Sequence, residues 1–360
     1  MAVICAGRGV DRKGGVMPIA RIAALSAAIP KEQVDVMDLG FDAETTKRTM
    51  RLTGVRAVRY APQDKTAADY CLRAAQEIFD QTQVRPCDVD GIIFVTPHPD
   101  YVYPGNGSIV QSAFGIPKKC CVLDVNHSCT GMVYGIYLAD LLVRAGDCKT
   151  VLVCCGDTAS HHLNAQDRAL RMVVGDGGAA ALVQEGGAEA MHYAFYHDGA
   201  GLKSLYTPAG GERMPCARGV TDVQEMDAEE NVRTLEDEFM DGMEVMRFVM
   251  NEVPPRIDAV LAASGWAKDE VDVYALHQAN AFIVKSLVRA MKLAKENVPF
   301  DAAETGNIGG ASLALTLCHA AAKSHVPISR AVLAGFGAGL SVAAMTADLA
   351  ETKVIQAALL

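Results

Sequence analysis

The chain twice repeats the order of a polar turn, an apolar helix and a buried strand. The first helix begins at Cys129-Thr130-Gly131, and a strand-like run at 151–155 follows about 22 residues later. The second begins at Gly309-Gly310-Ala311-Ser312, and the run at 332–334 follows at a similar distance. Such self-similarity indicates a duplication of two β/α halves that face each other. The alternation of buried strands with helices predicts an α/β fold whose sheet is mostly parallel and covered on both sides.

The duplication divides the chain into an N-terminal half, residues 1–185, and a C-terminal half, residues 186–360. The segment 186–238 is rich in glycine and acidic residues and has few apolar runs, so we expect a long surface connection there. A helix is predicted over 239–263. Pro254-Pro255 should break or bend it, because proline removes a backbone N–H and clashes with the preceding turn.

Composition argues against several classes of partner. The formal net charge of −10 disfavours nucleic acid and anionic membranes. No basic segment precedes an apolar stretch at the N-terminus, and no apolar run approaches about 18 uncharged residues. We therefore expect a cytoplasmic protein without a membrane span. The 11 cysteines form no CxxC motif and do not cluster with the histidines, which predicts reduced thiols and no metal site.

Cys129 lies on a predicted strand-to-helix turn. Residues 121–125 have the pattern of a buried strand, and apolar residues recur at helical spacing from Met132 to Leu142. Free N–H groups and the positive end of the helix dipole at such a turn favour a thiolate over a thiol. A thiolate held there is a nucleophile. The alternative is a small buried hydrophobic residue, which is the usual role of a free cysteine.

Two more polar residues lie on comparable turns. His277 ends a strand-like run, and Asn307 lies in a Gly-rich turn before a helix. Each has an ordinary structural explanation by itself, but on corresponding turns of similar halves they form a candidate site with Cys129. The turn Gly337-Ala338-Gly339 adds backbone N–H groups that can approach a substrate closely. The order Cys, His, Asn also occurs in papain-like proteases, but their signature around the cysteine is missing and their fold differs from this duplication.

Four motifs make the chain recognisable. They are DVNHSCTG at 124–131, HQAN at 277–280, GNIGGAS at 306–312 and GFGAGL at 335–340. Together, in this order and spacing, they resemble the β-ketoacyl-acyl-carrier-protein synthase III family, the KAS III branch of the thiolase-like condensing enzymes. The resemblance covers most of the chain. It implies a five-layered α/β/α/β/α thiolase fold and a homodimer.

The resemblance also implies a mechanism. Cys129 attacks an acyl thioester and carries the acyl group, while the backbone N–H groups of Cys129 and Ala338 hold the oxyanion. A malonyl thioester then loses CO₂, and the resulting enolate attacks the acyl-cysteine. His277 and Asn307 donate hydrogen bonds to that enolate, which requires a neutral imidazole with its proton on Nε2 and an uncharged amide. The implied substrates are coenzyme A or acyl-carrier-protein thioesters, and no cofactor is bound permanently.

Binding residues follow from the same resemblance. Arg168 matches an arginine near the coenzyme A cofactor, and Asn280 is assigned to the same site. Tyr103 matches a position that lines the partner subunit's acyl pocket. Three basic residues match the patch that the family offers to the acidic acyl carrier protein: Arg247, Lys285 and Arg289.

The chain departs from the family where the adenine end of coenzyme A is held. Arg48 and Leu52 occupy positions, ahead of Thr53-Gly54-Val55, where the family usually has a tryptophan and an arginine. Phe282 replaces an expected arginine. The acyl donor is therefore open between coenzyme A and a carrier protein. We have no account of His127-Ser128, which replace the pair of small residues that commonly precedes the cysteine in the family.

Two other functions remain as alternatives. One is an acyltransferase of the same fold that passes the cysteine-bound acyl group to a hydroxyl or an amine. The other is a supporting subunit of a heteromeric condensing enzyme. Retention of Cys129, His277 and Asn307 disfavours the supporting subunit. The His/Asn pair favours condensation over simple acyl transfer, because acyl transfer needs no enolate stabilisation.

Overall fold

The computed structural model describes residues 3–5, 17–324 and 327–360. Its helices are α1 Ala43–Thr53, α2 Ala67–Gln81, α3 Gly107–Phe114, α4 Gly131–Arg144, α5 Arg168–Arg171, α6 Gly242–Ser264, α7 Ala281–Met291 and α8 Ser312–Lys323. Its strands are β1 Val3–Cys5, β2 Ala20–Ile29, β3 Val34–Asp35, β4 Ala57–Val58, β5 Gly91–Val95, β6 Cys121–Val125, β7 Thr150–Asp157, β8 Gly177–Glu185, β9 His192–His197, β10 Leu205–Tyr206, β11 Glu225–Met226, β12 Val232–Arg233, β13 Phe239–Met240, β14 Val273–Leu276, β15 Arg330–Gly337, β16 Ser341–Asp348, β17 Lys353–Val354 and β18 Ala358–Leu359.

Two large sheets alternate with three helical layers. The first sheet has the strand order β17-β2-β8-β7-β5-β6, with β18 also paired to β2, and the second has the order β1-β9-β16-β15-β14. A buried apolar cluster joins α4 and α8 to the facing sides of both sheets. Helices α2 and α3 cover the outer face of the first sheet, and α6 and α7 cover the outer face of the second. This order is the five-layered α/β/α/β/α sandwich that the resemblance implies, so that prediction is confirmed.

Strands buried on both faces explain why the sequence shows continuous apolar runs. Every residue of β7 is buried. Alternate side chains of this strand point to opposite faces, so Val153 packs in the central layer with α4 and Leu152 packs in the outer layer with α2. Two-sided burial therefore requires the unbroken apolar pattern that predicted these strands.

The two halves have the same order of elements. The first runs β2–α2–β5–α4–β7–β8, and the second runs β9–α6–β14–α8–β15–β16. Strands β5 and β7 are a parallel pair, and α4 lies in the chain segment that connects them. Strands β14 and β15 are likewise a parallel pair connected through α8. Each half then adds an antiparallel hairpin. The expectation of a mostly parallel sheet is wrong for the second sheet, where β14–β15 is the one parallel pair among the described strands.

The ends of the chain cross between the halves. Strand β1 pairs with β9 of the second sheet, whereas β17 and β18 pair with β2 of the first. Sequence halves drawn at 1–185 and 186–360 therefore exchange their terminal strands. Neither end shows long amphipathic periodicity, which is why the local pattern did not reveal the exchange.

Two local predictions are corrected by the structure. The segment 186–238 is not all connection, because β9 lies inside it and pairs with β16. Helix α6 continues through Pro254 and Pro255, so the prolines do not break it. Its buried face, which includes Val253 and Ile257, packs on the second sheet, and this burial offsets the two lost N–H donors. Among the described residues, no helix is both long and apolar enough to cross a bilayer.

Candidate active site

Cys129 lies between β6 and α4, two residues before the first residue of the helix. The turn that carries it is packed against β15 of the other half. A Cβ atom at Gly335 would lie 2.5 Å from the carbonyl oxygen of Cys129, and one at Gly337 would lie 2.7 Å from its Sγ. Glycine at these two positions therefore lets β15 approach the half-buried thiol directly.

The electrostatic surroundings of Cys129 disfavour its charged form. Burial raises the pKa of its thiol to about 12, and a hydrogen bond with Ser128 lowers it. The charges of Glu238 and Asp157 add to the increase, while the Ala338 N–H acts in the opposite direction. The expectation that the turn alone makes a thiolate is not met. At neutral pH Cys129 is a thiol, because desolvation outweighs the hydrogen bonds that favour the anion.

His277 follows β14 and is almost completely buried, with 1% of its surface exposed. Its Nδ1 lies 3.2 Å from Ser312 Oγ, and the Ser312 hydroxyl donates to the carbonyl oxygen of Gly309 over 2.7 Å. Since a hydroxyl has one proton, this arrangement places a proton on Nδ1, which donates to Ser312. Burial lowers the pKa of His277 to about 4, so the ring is neutral at pH 7.

This hydrogen bonding favours the opposite tautomer from the one expected. With its single proton on Nδ1, neutral His277 presents a lone pair at Nε2. The Nε2–H form requires the Ser312 hydroxyl to turn from Gly309 to Nδ1. A rotating hydroxyl can make that change without moving the backbone.

Asn307 is fixed in the turn before α8. Its Oδ1 accepts a hydrogen bond from the Gly309 N–H over 3.1 Å, so the side-chain NH₂ group is left to donate. Its backbone N–H donates to Val173 over 2.8 Å, and its carbonyl accepts from Gly175 over 2.9 Å. These bonds attach the turn of the second half to the first half.

The turn at 309–312 connects the parts of the site. It provides the Ser312 contact of His277, the backbone contact of Gly309 with the same ring and the Gly309 contact of Asn307. A Cβ at Gly309 would lie 3.6 Å from Ser128 Oγ, so the same turn also touches the segment that carries Cys129. The backbone N–H of Ala338 reaches the Cys129 sulfur from the end of β15. The thiol, imidazole, amide and backbone donor thus come from both halves of the duplication.

Gly337 provides a direct test of this packing. In Gly337→Ala the new Cβ would lie 2.7 Å from Cys129 Sγ and 3.0 Å from its Cβ, which no pair of these atoms tolerates. We expect the sulfur to shift and its acylation rate to fall by at least about 10-fold, since misplacement by about 1 Å is that costly. Gly242→Ala is the control, because its Cβ would meet nothing within 4 Å and its backbone does not have a positive φ. An unchanged rate in Gly337→Ala, measured by intact mass, would show that the contact is unimportant.

Two residues assigned to cofactor binding have other partners. Arg168 pairs with Glu230 over 2.9 Å and with Asp42 over 3.9 Å. Asn280 is the N-cap of α7, where its Oδ1 accepts a hydrogen bond from the Ile283 N–H over 2.9 Å. Both polar groups are therefore engaged within the chain.

The other assigned residues lie on the surface. Arg247 on α6 pairs with Glu244, while Lys285 and Arg289 are exposed on α7. Tyr103 is 88% exposed, so it does not line a pocket within its own chain. The two apolar replacements in the adenine region, Leu52 and Phe282, are 59% and 50% exposed.

Sequence reasoning missed several polar residues around the thiol. Asp157 ends β7 and His98 follows β5, so both lie at the carboxyl ends of strands that are parallel to β6. The rule that found Cys129 applies to them equally. Ser128 and Ser312 gave no such signal, because their importance depends on which atoms they reach in the folded chain.

A duplicated five-layered α/β sandwich, with a thiol, an imidazole and an amide on facing turns, defines the class of thiolase-like condensing enzymes. The family model 3-oxoacyl-[acyl-carrier-protein (ACP)] synthase III matches residues 123–199, and the model for its C-terminal part matches residues 261–349. A β-ketoacyl-[acyl-carrier-protein] synthase III of Caldanaerobacter subterraneus is 30% identical over 89% of this chain and 95% of its own length. That of Lactobacillus delbrueckii is 32% identical over 92% and 100%.

Solved structures of synthases of this kind have the same fold. A crystal structure of a 3-oxoacyl-(acyl-carrier-protein) synthase III, 34% identical, superimposes with a TM-score of 0.86 over 92% of this chain and 100% of that one. The enzyme from Burkholderia xenovorans LB400, 27% identical, also gives 0.86, over 96% and 98%. The chain belongs to the β-ketoacyl-acyl-carrier-protein synthase III family and is a condensing enzyme.

Proposed function

We propose that the protein loads an acyl group on Cys129 and condenses it with the enolate of a malonyl thioester. One observation carries this proposal. The Cys129 sulfur is contacted by two uncharged hydrogen-bonding groups, the Ser128 hydroxyl and the Ala338 N–H of the other half, and by no described basic side chain in hydrogen-bonding contact. Such surroundings suit the stabilisation of an oxyanion and an enolate.

The first half-reaction is acyl transfer. The Cys129 sulfur bonds to the carbonyl carbon of the donor thioester, the carbon–sulfur bond of the donor breaks, and the departing sulfur leaves as a thiol with the proton that Cys129 loses. The tetrahedral intermediate carries a negative oxygen. The N–H groups of Cys129 and Ala338 hold that oxygen in this proposal, and the contact of the Ala338 N–H with the sulfur supports the assignment.

The second half-reaction is condensation. The carbon–carboxylate bond of the malonyl thioester breaks, CO₂ leaves, and the electron pair enters the thioester enolate. The enolate carbon attacks the acyl carbon, and the bond between that carbon and the Cys129 sulfur breaks. Cys129 leaves as a thiolate and takes up one proton from solvent, because its own proton departed with the donor thiol. Asn307 donates from Nδ2, because its Oδ1 is held by Gly309. His277 donates from Nε2 once the Ser312 hydroxyl turns to Nδ1.

We infer that the acyl donor is bound to a carrier protein. Leu52 and Phe282 offer exposed apolar surface where residues that hold the adenine end of coenzyme A are expected. Arg168 is paired with Glu230 and Asp42, so phosphate or adenine recognition there would break ion pairs. The experiment is to incubate the protein with matched acyl-CoA and acyl-carrier-protein thioesters and to weigh it. Faster mass gain from the carrier thioester supports the inference, and faster gain from coenzyme A overturns it.

The basic residues of α7 give a prediction about that carrier. Reversing charge in Lys285→Glu with Arg289→Glu should slow acylation from the acidic carrier about 10-fold or more at low salt, because these exposed cations steer its approach. Acylation from a small pantetheine thioester should be unchanged. Lys31→Glu with Lys118→Glu, on other surfaces, is the control. An equal fall in the acylation rate with both donors would show that the substitutions damage the active site and do not act through carrier binding.

We also propose a homodimer in the cytoplasm. Strand β6 is the edge of the first sheet, yet Cys121 and Leu123 on it are exposed. An exposed apolar edge invites pairing with a second copy. Val102 and Tyr103 add exposed apolar surface. Light scattering should therefore give twice the chain mass, and a monomer would refute this.

All ten cysteines with described side chains are free, which fits a reducing compartment such as the cytoplasm.

A further inference from the structure

A chain of hydrogen-bonding groups leads away from the sulfur of Cys129. Ser128 Oγ lies 3.7 Å from Cys129 Sγ and 3.3 Å from Asp157 Oδ2. An ionised carboxylate only accepts, so the Ser128 proton points to Asp157 and an oxygen lone pair is left for the thiol. Both distances are long, as contacts in catalytic sites without substrate often are. The direction of donation therefore runs from the sulfur to the carboxylate.

Asp157 is held in place from its other side. His98 Nδ1 lies 2.8 Å from Asp157 Oδ1, and the ring of His98 stacks on that of His162 with centroids 3.9 Å apart. Because the carboxylate accepts, Nδ1 carries the proton. The Asp157 side chain is 6% exposed and that of His98 is 19% exposed. This contact fixes Oδ1 and leaves Oδ2 free to face Ser128.

The sulfur needs a group that accepts its proton. Burial keeps Cys129 a thiol at neutral pH, as described above, and a thiol is a poor nucleophile. His277 is directed towards Ser312 at Nδ1, and no described hydrogen bond joins it to the sulfur. Among the described residues, Ser128 is the one side chain that hydrogen bonds to Cys129 Sγ.

We propose that Ser128, Asp157 and His98 form a proton relay for the acylation of Cys129. Ser128 is the catalytic member, since it touches the reacting sulfur, and Asp157 and His98 act through it. The inference rests on the proposed nucleophilic role of Cys129. The relay concerns how the Cys129 thiol loses its proton, and the family resemblance assigns no residue to that step.

The protons balance as follows. As Sγ bonds to the acyl carbon, its proton passes to Ser128 Oγ while the Ser128 hydroxyl proton passes to Asp157 Oδ2. When the intermediate expels the donor sulfur, Asp157 returns a proton through Ser128 to that sulfur, which leaves as a thiol. Asp157 is again a carboxylate and Ser128 a hydroxyl. His98 keeps its proton on Nδ1 throughout and stabilises the carboxylate.

Other charged groups face this relay and shape its response to pH. Glu238 lies beside it, and burial followed by the charge of Asp157 raises the pKa of Glu238 to about 7. Burial lowers the pKa of His98. The charges of Asp157, Glu238 and Asp176 raise it by more than burial lowers it, so the pKa of His98 lies above its ordinary value. Burial and His98 lower the pKa of His162 to about 4. Asp167 faces Glu238.

The test compares Ser128→Ala, Asp157→Asn and the double variant in full-length protein. The rate of acylation from one acyl thioester is followed by intact mass between pH 6 and 9. Each single variant should be slower by about 10²-fold, the usual contribution of a positioned acid–base group. The double variant should be no slower than either single one. Ser112→Ala and Asp269→Asn, both exposed, are the matched controls.

The pH profile separates a relay from a structural role. Without the relay the thiol must ionise into solvent, so the variant rates should rise about 10-fold per pH unit, whereas the wild-type rate should rise less steeply. Wild-type rates in either single variant would overturn the relay. A faster Asp157→Asn would also overturn it, because the carboxylate would then act only by repelling the thiolate. If Asp157→Asn does not fold, as judged by thermal denaturation, Ser128→Ala decides. A wild-type protein that never acylates would refute the proposed function instead.

Discussion

Replacing His277 or Asn307 with alanine should leave acylation of Cys129 intact and reduce CO₂ release from a malonyl thioester about 10²–10³-fold. In the proposed mechanism each side chain donates one hydrogen bond to the enolate, His277 after the Ser312 hydroxyl turns, and loss of one such donor typically costs that factor. Neither group touches the acyl-transfer step. The two half-reactions should therefore separate cleanly in these variants.

The measurements are intact mass for acylation and release of labelled CO₂ for decarboxylation. Asn251→Ala, exposed on α6, is the control for Asn307. His192→Ala is the control for His277, because His192 lies at the far end of β9, whereas His197 at the near end approaches Gly339. Normal CO₂ release in both site variants would remove the enolate role from the two residues.

Cys129→Ala should show the opposite behaviour. Without the sulfur, no acyl-enzyme forms, and condensation falls to the background rate. Decarboxylation of the malonyl thioester should persist, since it depends on His277 and Asn307, which approach from other turns. Cys87→Ala, an exposed free cysteine, is the matched control and should acylate normally.

Cys129→Ala protein that still gains the acyl mass would show that another of the chain's thiols is the nucleophile. Cys155 is the buried neighbour to consider, because a Cβ at Gly310 would lie 2.8 Å from its sulfur and 2.6 Å from the Ser128 carbonyl oxygen. Complete loss of CO₂ release would instead show that the sulfur supports decarboxylation, which the proposed mechanism does not include.

Much of this fold follows from local pattern. Strands buried on both faces leave unbroken apolar runs, and the helices of the central layer leave apolar residues at helical spacing. The three polar residues at the ends of such elements were found because the carboxyl ends of strands are where these folds place their sites. Their roles came from the family resemblance, since no local pattern distinguishes a helix-capping amide from an enolate donor.

Other features depend on long-range contacts and leave no local signal. Strand β9 lies in a glycine-rich, acidic region and is formed by pairing with β16, about 145 residues away. Helix α6 tolerates two prolines because its buried face is held by the second sheet. The protonation of Cys129 is set by desolvation and by Glu238, about 110 residues on, so a helix-terminus argument alone gave the wrong charge.

Peptide mapping of the acylated protein tests the central claim most directly. Trypsin should release residues 120–144, which contain Cys120, Cys121 and Cys129, so fragment ions can place the acyl group. We predict that the added mass lies entirely on Cys129. Acyl mass on Cys120 or Cys121, or none on this peptide while the intact protein is acylated, would contradict the assignment of the nucleophile.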